Sequence, residues 1–318
     1  ALNRIEQEFA RNGVNISRQT MSNWIIKCAD KYFAPFVERM RQELLTLPVT
    51  QSDETPTQVL SDSDRPNSKC YMWVHRSGEF YTKRPIVIYE YQKGRDHHKP
   101  MEFYKDYKGF LITDGLEQYH LLDKKLPDVT NANCWAHARR KFVEALDEDR
   151  KHASEALVYI GKLYGIEKEM KETGLESDAI QKRRQEESYR IIQEFENWMN
   201  SVSGRFTPKS RMGKALVYTY TLLPRLSRYV LDGRYHIDNN GVENAIRPLA
   251  IGRKNYLFCG NHDAAVRAAI VYSLFSSCKA HDIDVRTWLV DILKRIPTEK
   301  DINQLLPGNW KVLPANSR

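Results

Sequence analysis

Apolar positions along the chain fall into regimes of different period. Over 1–47 they recur at helical spacing. Gly13 breaks a first helix and Ser17 can cap a second, to which Ile16, Met21, Trp24, Ile25 and Cys28 give an apolar stripe. A third helix over 33–47 ends at Pro48. Helix, glycine turn, helix is the outline of a helix-turn-helix, and equally of a plain helical hairpin packed on the next domain. From 49 to 131 the runs shorten and become rich in β-branched and aromatic residues. Segments 57–60, 71–75 and 85–91 predict three strands, separated by a polar turn over 61–69. A loop over 94–98 and a short helix over 101–107 follow. The segment 109–114 then reads as a buried strand that ends in an acid, and 133–136 as a short fifth strand. Strands followed by strands alternating with helices predict a mixed α/β sheet.

Helical spacing returns over 137–235 with dense charge of both signs, most of it a solvated helix surface. Pro224 predicts a kink or restart within a helix over 215–229, and Pro248 limits the helix after Asn240 to about two turns. Asn240 reads as that helix's cap, with Glu243 three residues on. A strongly apolar helix over 264–279 must be buried, and a last helix precedes the tail.

Composition narrows the function. Hydrophobic residues make up 41% of the 318, enough for a substantial core, and no apolar run approaches a membrane span. The five cysteines are odd in number and form no close pair, which argues against a disulfide framework and fits a cytoplasmic setting. The first residue is Ala1, inside a helical pattern, so sequence upstream is expected. A net charge of +8 favours a polyanionic partner. Between Ser201 and Gly260, ten Lys and Arg face three acids, one of them Glu243.

Three acids stand out by position. Asp53 begins a strand region, Asp114 ends a buried strand, and Glu243 opens a helix among basic residues. Acids at strand ends and helix starts can converge at one end of a sheet, where hard oxygen ligands suit magnesium or manganese. Each also has a plain structural reading. Asp53 could be a turn residue and Asp114-Gly115 a turn pair, while Glu243 could complete a capping box or pair with Arg247. Spacing alone leaves both readings open.

The string Asp238-Asn-Asn-Gly-Val-Glu-Asn-Ala-Ile-Arg-Pro-Leu-Ala-Ile-Gly-Arg-Lys-Asn-Tyr-Leu-Phe-Cys-Gly260 resembles the signature of the insertion-sequence 66 transposase family. Three further segments match that family in order: Gly13-Val-Asn-Ile-Ser-Arg-Gln-Thr20, Asp53-Glu-Thr-Pro56, and Thr113-Asp-Gly115 with Cys134-Trp-Ala-His-Ala-Arg-Arg-Lys-Phe142. Departures are small: Asn244 stands where an Arg usually follows the Glu, and Gly308 interrupts the tail.

The resemblance implies a DDE transposase with a ribonuclease-H-like core. Asp53, Asp114 and Glu243 would be its catalytic acids, holding two Mg2+ or Mn2+ ions that cut element-end DNA and join it to target DNA. It implies a candidate DNA-binding helical segment over 1–48 and the first part of the core over 49–150. A helical insertion over 151–235, the second part of the core over 236–280 and a helical tail over 281–318 follow. Expected partners are the element ends and the target, further copies of the chain on DNA, and companion proteins encoded by the same element. Arg139, Arg140, Lys141, Arg247, Arg253 and Lys254 are candidate phosphate contacts near the acids. Cys134 and His137 form a C-x-x-H, either an accessory to the site or a buried thiol followed by a helix-start histidine. A DNA-binding protein without chemistry is the alternative from another class, and a nuclease that cuts without joining is a third.

Overall fold

The computed structural model describes residues 2–60, 70–78, 85–96 and 98–311, so the turn expected over 61–69, and His97 in the next loop, lie outside the described residues. Five strands form one sheet: β1 (Val49–Thr57), β2 (Cys70–Ser77), β3 (Val87–Gln92), β4 (Gly109–Thr113) and β5 (Val129–Asn133). Their order is β3-β2-β1-β4-β5, with β1, β2 and β3 antiparallel and β4 and β5 parallel to β1. The parallel strands need crossovers. They are α4 (His98–Phe103), after three helices α1 (Leu2–Arg11), α2 (Arg18–Cys28) and α3 (Ala34–Leu44), and α5 (Glu117–Lys125).

The central strand departs from the hydrophobic pattern. The segment 57–60 is not a strand, because β1 ends at Thr57 and Val59 makes one bridge, to Cys259. Strand β1 is instead built from polar residues that the sheet buries, including Thr50, Gln51, Ser52, Glu54 and Thr55. Ser52 is tolerated because it finds partners: its Oγ lies against His75 Nδ1 and Tyr104 OH on one face. Pro56 fits because β4 pairs with β1 through Gln51 and no further, which leaves no ladder on that side for a missing N–H to break.

After β5 come α6 (Trp135–Ala145), α7 (Arg150–Glu172), α8 (Ser177–Arg183), α9 (Tyr189–Ser203) and α10 (Arg211–Leu226), then α11 (Asn240–Tyr256), α12 (His262–Ala280) and α13 (Val285–Arg295). Residues 133–136 do not form the fifth strand, since β5 ends at Asn133 and Trp135 already opens α6. Helices α6, α7, α9 and α10 pack on Ile112 and Ala132 of the sheet through Trp135, Phe142, Ile160, Phe195 and Leu223. The opposite face meets α3, α5, α12 and α13 around Trp73, Leu111, Tyr119 and Trp288. Arg184 is fully buried in the helical part. Its guanidinium grips Glu167 and donates to the carbonyls of Tyr229, Asp232 and Tyr235, so every donor is used.

Both prolines expected to break helices lie inside them. Helix α11 continues through Pro248 to Tyr256, and α10 passes Pro224 before a tighter turn over Ser227–Leu231. The carbonyls that lose an N–H partner belong to Asn244 and Tyr220, both exposed, so water can replace the bond. The third helix is shorter than 33–47: a π-helical turn, Ala29–Phe33, precedes α3, with Pro35 just inside its start. The helix expected over 101–107 lies earlier, at α4. Ser17 caps α2 as expected, its Oγ accepting from Thr20 N–H. The apolar stripe of α2 is not buried as a whole: Met21 is, while Trp24 and Ile25 stay about half exposed, at 53% and 48%. Among the described residues no helix is long and apolar enough to cross a membrane.

Candidate active site

Asp53 lies in β1, and Asp114 is the first residue after β4. These strands are parallel neighbours with Gln51 opposite Ile112. The ladder ends at that pair, and each acid stands two residues beyond it in the same direction, near enough for the charge of Asp114 to act on Asp53. Two residues along a strand return to the same face, so Asp53 shares the face of Gln51. That face carries α11, where Val242 and Leu249 pack with Met72, Val74 and Tyr89. Glu243 follows Val242 in the first turn of α11. Acids 61 and 129 residues apart in sequence thus come to one end of the sheet.

The first two acids are held by backbone groups. Asp53 Oδ1 accepts from Glu54 N–H at 2.8 Å, and Asp114 Oδ1 from Leu116 N–H at 2.9 Å. The Asp114 carbonyl accepts from Asn133 Nδ2 at 2.6 Å. Glu243 is held more loosely. Its Oε1 is 3.5 Å from His137 Nε2 and its Oε2 3.5 Å from the Arg140 guanidinium, both on α6 rather than on Arg247 one turn ahead. The expected Asn240 cap is also displaced: Asn239 holds the cap position, without a side-chain cap bond.

Burial pushes the Asp53 carboxyl well above its ordinary pKa, and the charges of Glu54, Asp114 and Glu243 push the same way. The three acids therefore feel one another across the site. Glu54 sits on the opposite face of β1 and is also raised, by burial first and then by Asp114. Arg95 and Tyr119 oppose that rise through hydrogen bonds to its two oxygens. Burial lowers the His137 pKa, while Glu243 and Asp114 pull it back up.

The loop before Glu243 is tied down from four elements. Gln51 Nε2 donates to the Asp238 carbonyl at 3.3 Å, and its Oε1 accepts from Val242 N–H at 3.1 Å. Arg76 of β2 donates to the Gly241 carbonyl at 2.7 Å. Tyr164 of α7 donates to Asp238 Oδ2 at 3.0 Å. Cys134 Sγ accepts from Asn239 N–H at 3.3 Å, and Trp135 N–H donates to the Ile237 carbonyl. Sequence reading missed Gln51, Glu54, Arg76, Arg95, Tyr119 and Tyr164. Strand alternation from Asp53 points to Gln51; the others carry no sequence signal.

Cys134 is buried and its thiol is pushed up to about 12 by that burial, so it stays protonated and serves as an acceptor for the loop. Of the candidate phosphate contacts, Arg140 is engaged with Glu243, Lys141 with Glu144, and Arg253 with the Pro56 carbonyl. Arg139, Arg247 and Lys254 are exposed on the two helices that flank the acids.

Among the described residues, no three His, Cys, Asp or Glu side chains are placed together as a set of metal ligands. Three like charges without a counter-ion repel, and Glu243 turns to Arg140 and His137. The donors nonetheless fit a hard cation. They are carboxylate oxygens, and Glu243 Oε1 is buried with no hydrogen-bond partner among the described residues.

The sheet thus carries one acid within β1, a second just after the neighbouring parallel β4, and a third on a helix packed against the same face. Residues 1–267 match the model of the family described as "Transposase IS66 family", and residues 273–307 that of the "IS66 C-terminal element". The chain belongs to the IS66 transposase family. Similar proteins include "Uncharacterized protein y4qI" of Sinorhizobium fredii (strain NBRC 101917 / NGR234), 30% identical over 327 residues, which cover 98% of this chain and 59% of the relative. "Uncharacterized protein y4hP" of the same strain is 27% identical over 98% of the chain and 59% of its own length. "Uncharacterized protein y4jD" is 28% identical over 98% and 63%. The chain thus spans about three fifths of the length of these relatives.

Proposed function

We propose that this chain is the catalytic part of a DNA transposase, with Asp53, Asp114 and Glu243 as its catalytic acids. The observation that carries the reading is the shared electrostatic site: two acids at matched positions on neighbouring parallel strands, and a third from α11 that raises the first. In this reading the sheet is a ribonuclease-H-like core, and α7 to α10 are a helical insertion between its acids. Two divalent ions, magnesium or manganese, bound by the three acids would supply Lewis-acid activation of the attacking and leaving oxygens of a phosphodiester. The chain's own side chains do the rest. Arg139, Arg140 and Lys141 on α6, with Arg247, Arg253 and Lys254 on α11, hold DNA phosphates on either side of the acids. Arg140 and His137 keep Glu243 at the site until it is needed as a ligand. The first reaction cuts at an element end and frees a 3′-OH; in the second that 3′-OH attacks the target strand. Further copies of the chain, and companion proteins of the element, would assemble on the DNA.

The test is a duplex carrying an element end, incubated with magnesium, with cleavage and joining scored separately. Asp114→Asn is expected to abolish both and to lose magnesium binding by calorimetry. If Asp114→Asn cleaves and binds magnesium as the wild type does, the assignment of the acids is refuted; a wild type that binds the duplex and cuts nothing is a DNA-binding protein without chemistry. Cleavage without joining would make it a nuclease.

A further inference from the structure

Helix α11 leads from Glu243 to an unusual tip. Leu257 closes the helix with φ 62° and ψ −47°, and Phe258 N–H bonds to the Tyr256 carbonyl at 2.7 Å. This is the rarer and strained form of the γ-turn, with φ near roughly +75° and ψ near roughly −65°. A positive φ is costly for a branched, non-glycine residue. The strain holds an apolar side chain out in water: Leu257 is 63% exposed, between the partly exposed rings of Tyr256 and Phe258, with Ile251 exposed a little earlier on the helix. The turn is braced from behind. Cys259 is buried and exchanges backbone bonds with Gln58 and Leu60 of the chain leaving β1, and Arg253 binds the Pro56 carbonyl.

Charge identifies the partner. Between Glu243 and Asp263 there are three cations, Arg247, Arg253 and Lys254, and no acid. An apolar tip on a helix whose charges beyond Glu243 are all cations suits a polyanion with apolar faces to offer, which is DNA with a base step opened. We propose that Tyr256, Leu257 and Phe258 form a wedge that enters a base step of the duplex whose phosphate lies at the acids. Leu257 is 14 residues beyond Glu243. At the helical rise that is about 21 Å, or about six base pairs of duplex. The inference rests on the proposed DNA-cutting activity and adds to it a site of DNA distortion remote from the chemistry.

The probe is an element-end duplex with 2-aminopurine placed in turn at each position, bound to the chain in the Asp114→Asn background so that the DNA stays uncut. A several-fold rise in emission is expected at one or two positions about six base pairs from the cut. Leu257→Asn tolerates the positive φ and removes the wedge, so it should lose the rise; Leu257→Met keeps the reach and should retain it. A rise that persists in Leu257→Asn, or no responsive position at all, overturns the wedge. So does a fall in the mass of the DNA-free chain on Leu257→Asn in sedimentation, which would show a second copy covering the tip. Asp114→Asn that cuts the duplex at the wild-type rate refutes the assignment of the acids instead, and leaves the wedge to the fluorescence result.

Discussion

Gln51→Met separates the placing of Glu243 from the stability of the fold. The amide of Gln51 is buried at 1% exposure and holds the loop before Glu243 at two points, the Asp238 carbonyl and Val242 N–H. Methionine has nearly the same volume, so no large cavity opens. Val242 N–H keeps a second acceptor, the Asn239 carbonyl at 3.0 Å, so the tie lost outright is the one to the part-buried Asp238 carbonyl. A lost hydrogen bond of this kind costs about 0.5–1.5 kcal/mol. The loop retains its ties to Arg76, Tyr164 and Cys134, so about 1 kcal/mol is expected in urea unfolding. The effect on rate should be larger in proportion. A displacement of Glu243 by about 1 Å can cost on the order of a hundredfold in a positioned reaction. The assay is end cleavage at saturating magnesium, beside urea unfolding of the same preparations. A variant that loses the expected stability yet cleaves at the wild-type rate would refute the idea that this amide sets the third acid against the first.

Two further outcomes follow from the charges. Asp53 has a raised pKa in the folded chain, so the fold favours its protonated form. The stability this gives is present below the unfolded pKa of about 3.9 and is lost as pH rises through the folded value. In metal-free buffer Asp53→Asn should therefore be more stable than the wild type at pH 7, with the gap closing in acid; a less stable variant at pH 7 sinks the burial argument. Lys254→Ala should weaken DNA binding broadly and make its logarithmic salt dependence shallower by about one unit, measured by fluorescence anisotropy across a salt series. An unchanged slope would show that Lys254 faces solvent and touches no phosphate.

The pattern of apolar positions located β2, β3 and β4 to within a few residues, because each carries a run of branched or aromatic side chains that the sheet buries. It failed at β1 for a physical reason. Burial is normally signalled by hydrophobicity, and here Gln51, Ser52 and Glu54 are buried by virtue of partners far off in sequence: Asp238 and Val242 for Gln51, His75 and Tyr104 for Ser52, Arg95 and Tyr119 for Glu54. A strand of that kind is visible once its neighbours are known. The prolines misled in the opposite direction. A helix survives Pro248 because the carbonyl it strands belongs to an exposed residue, and exposure is a tertiary fact. For Asp53, Asp114 and Glu243 alike, spacing left turn and cap readings open, and the family string supplied the weight.

The same buried polar residues explain how the site can exist at all. Carboxylates drawn together without a counter-ion repel, and their charges add to the burial that first raises the pKa of Asp53. Side-chain packing alone would let the acids drift apart, since nothing apolar draws one carboxylate to another. The chain instead fixes backbone. β1 and β4 are locked by their ladder, Asn133 holds the Asp114 carbonyl, and Gln51, Arg76, Tyr164 and Cys134 hold consecutive backbone or cap groups from Asp238 to Val242. Arg76 binds a carbonyl and Tyr164 binds the Asp238 carboxylate, so none of these ties engages Asp53, the Asp114 carboxylate or Glu243. What remains free to move is the Glu243 side chain, held at 3.5 Å by Arg140 and His137. Under the proposed reading, two acids set by the sheet and one carried on an adjustable side chain would suit a site that is electrostatically unfavourable when empty and favourable when a cation arrives.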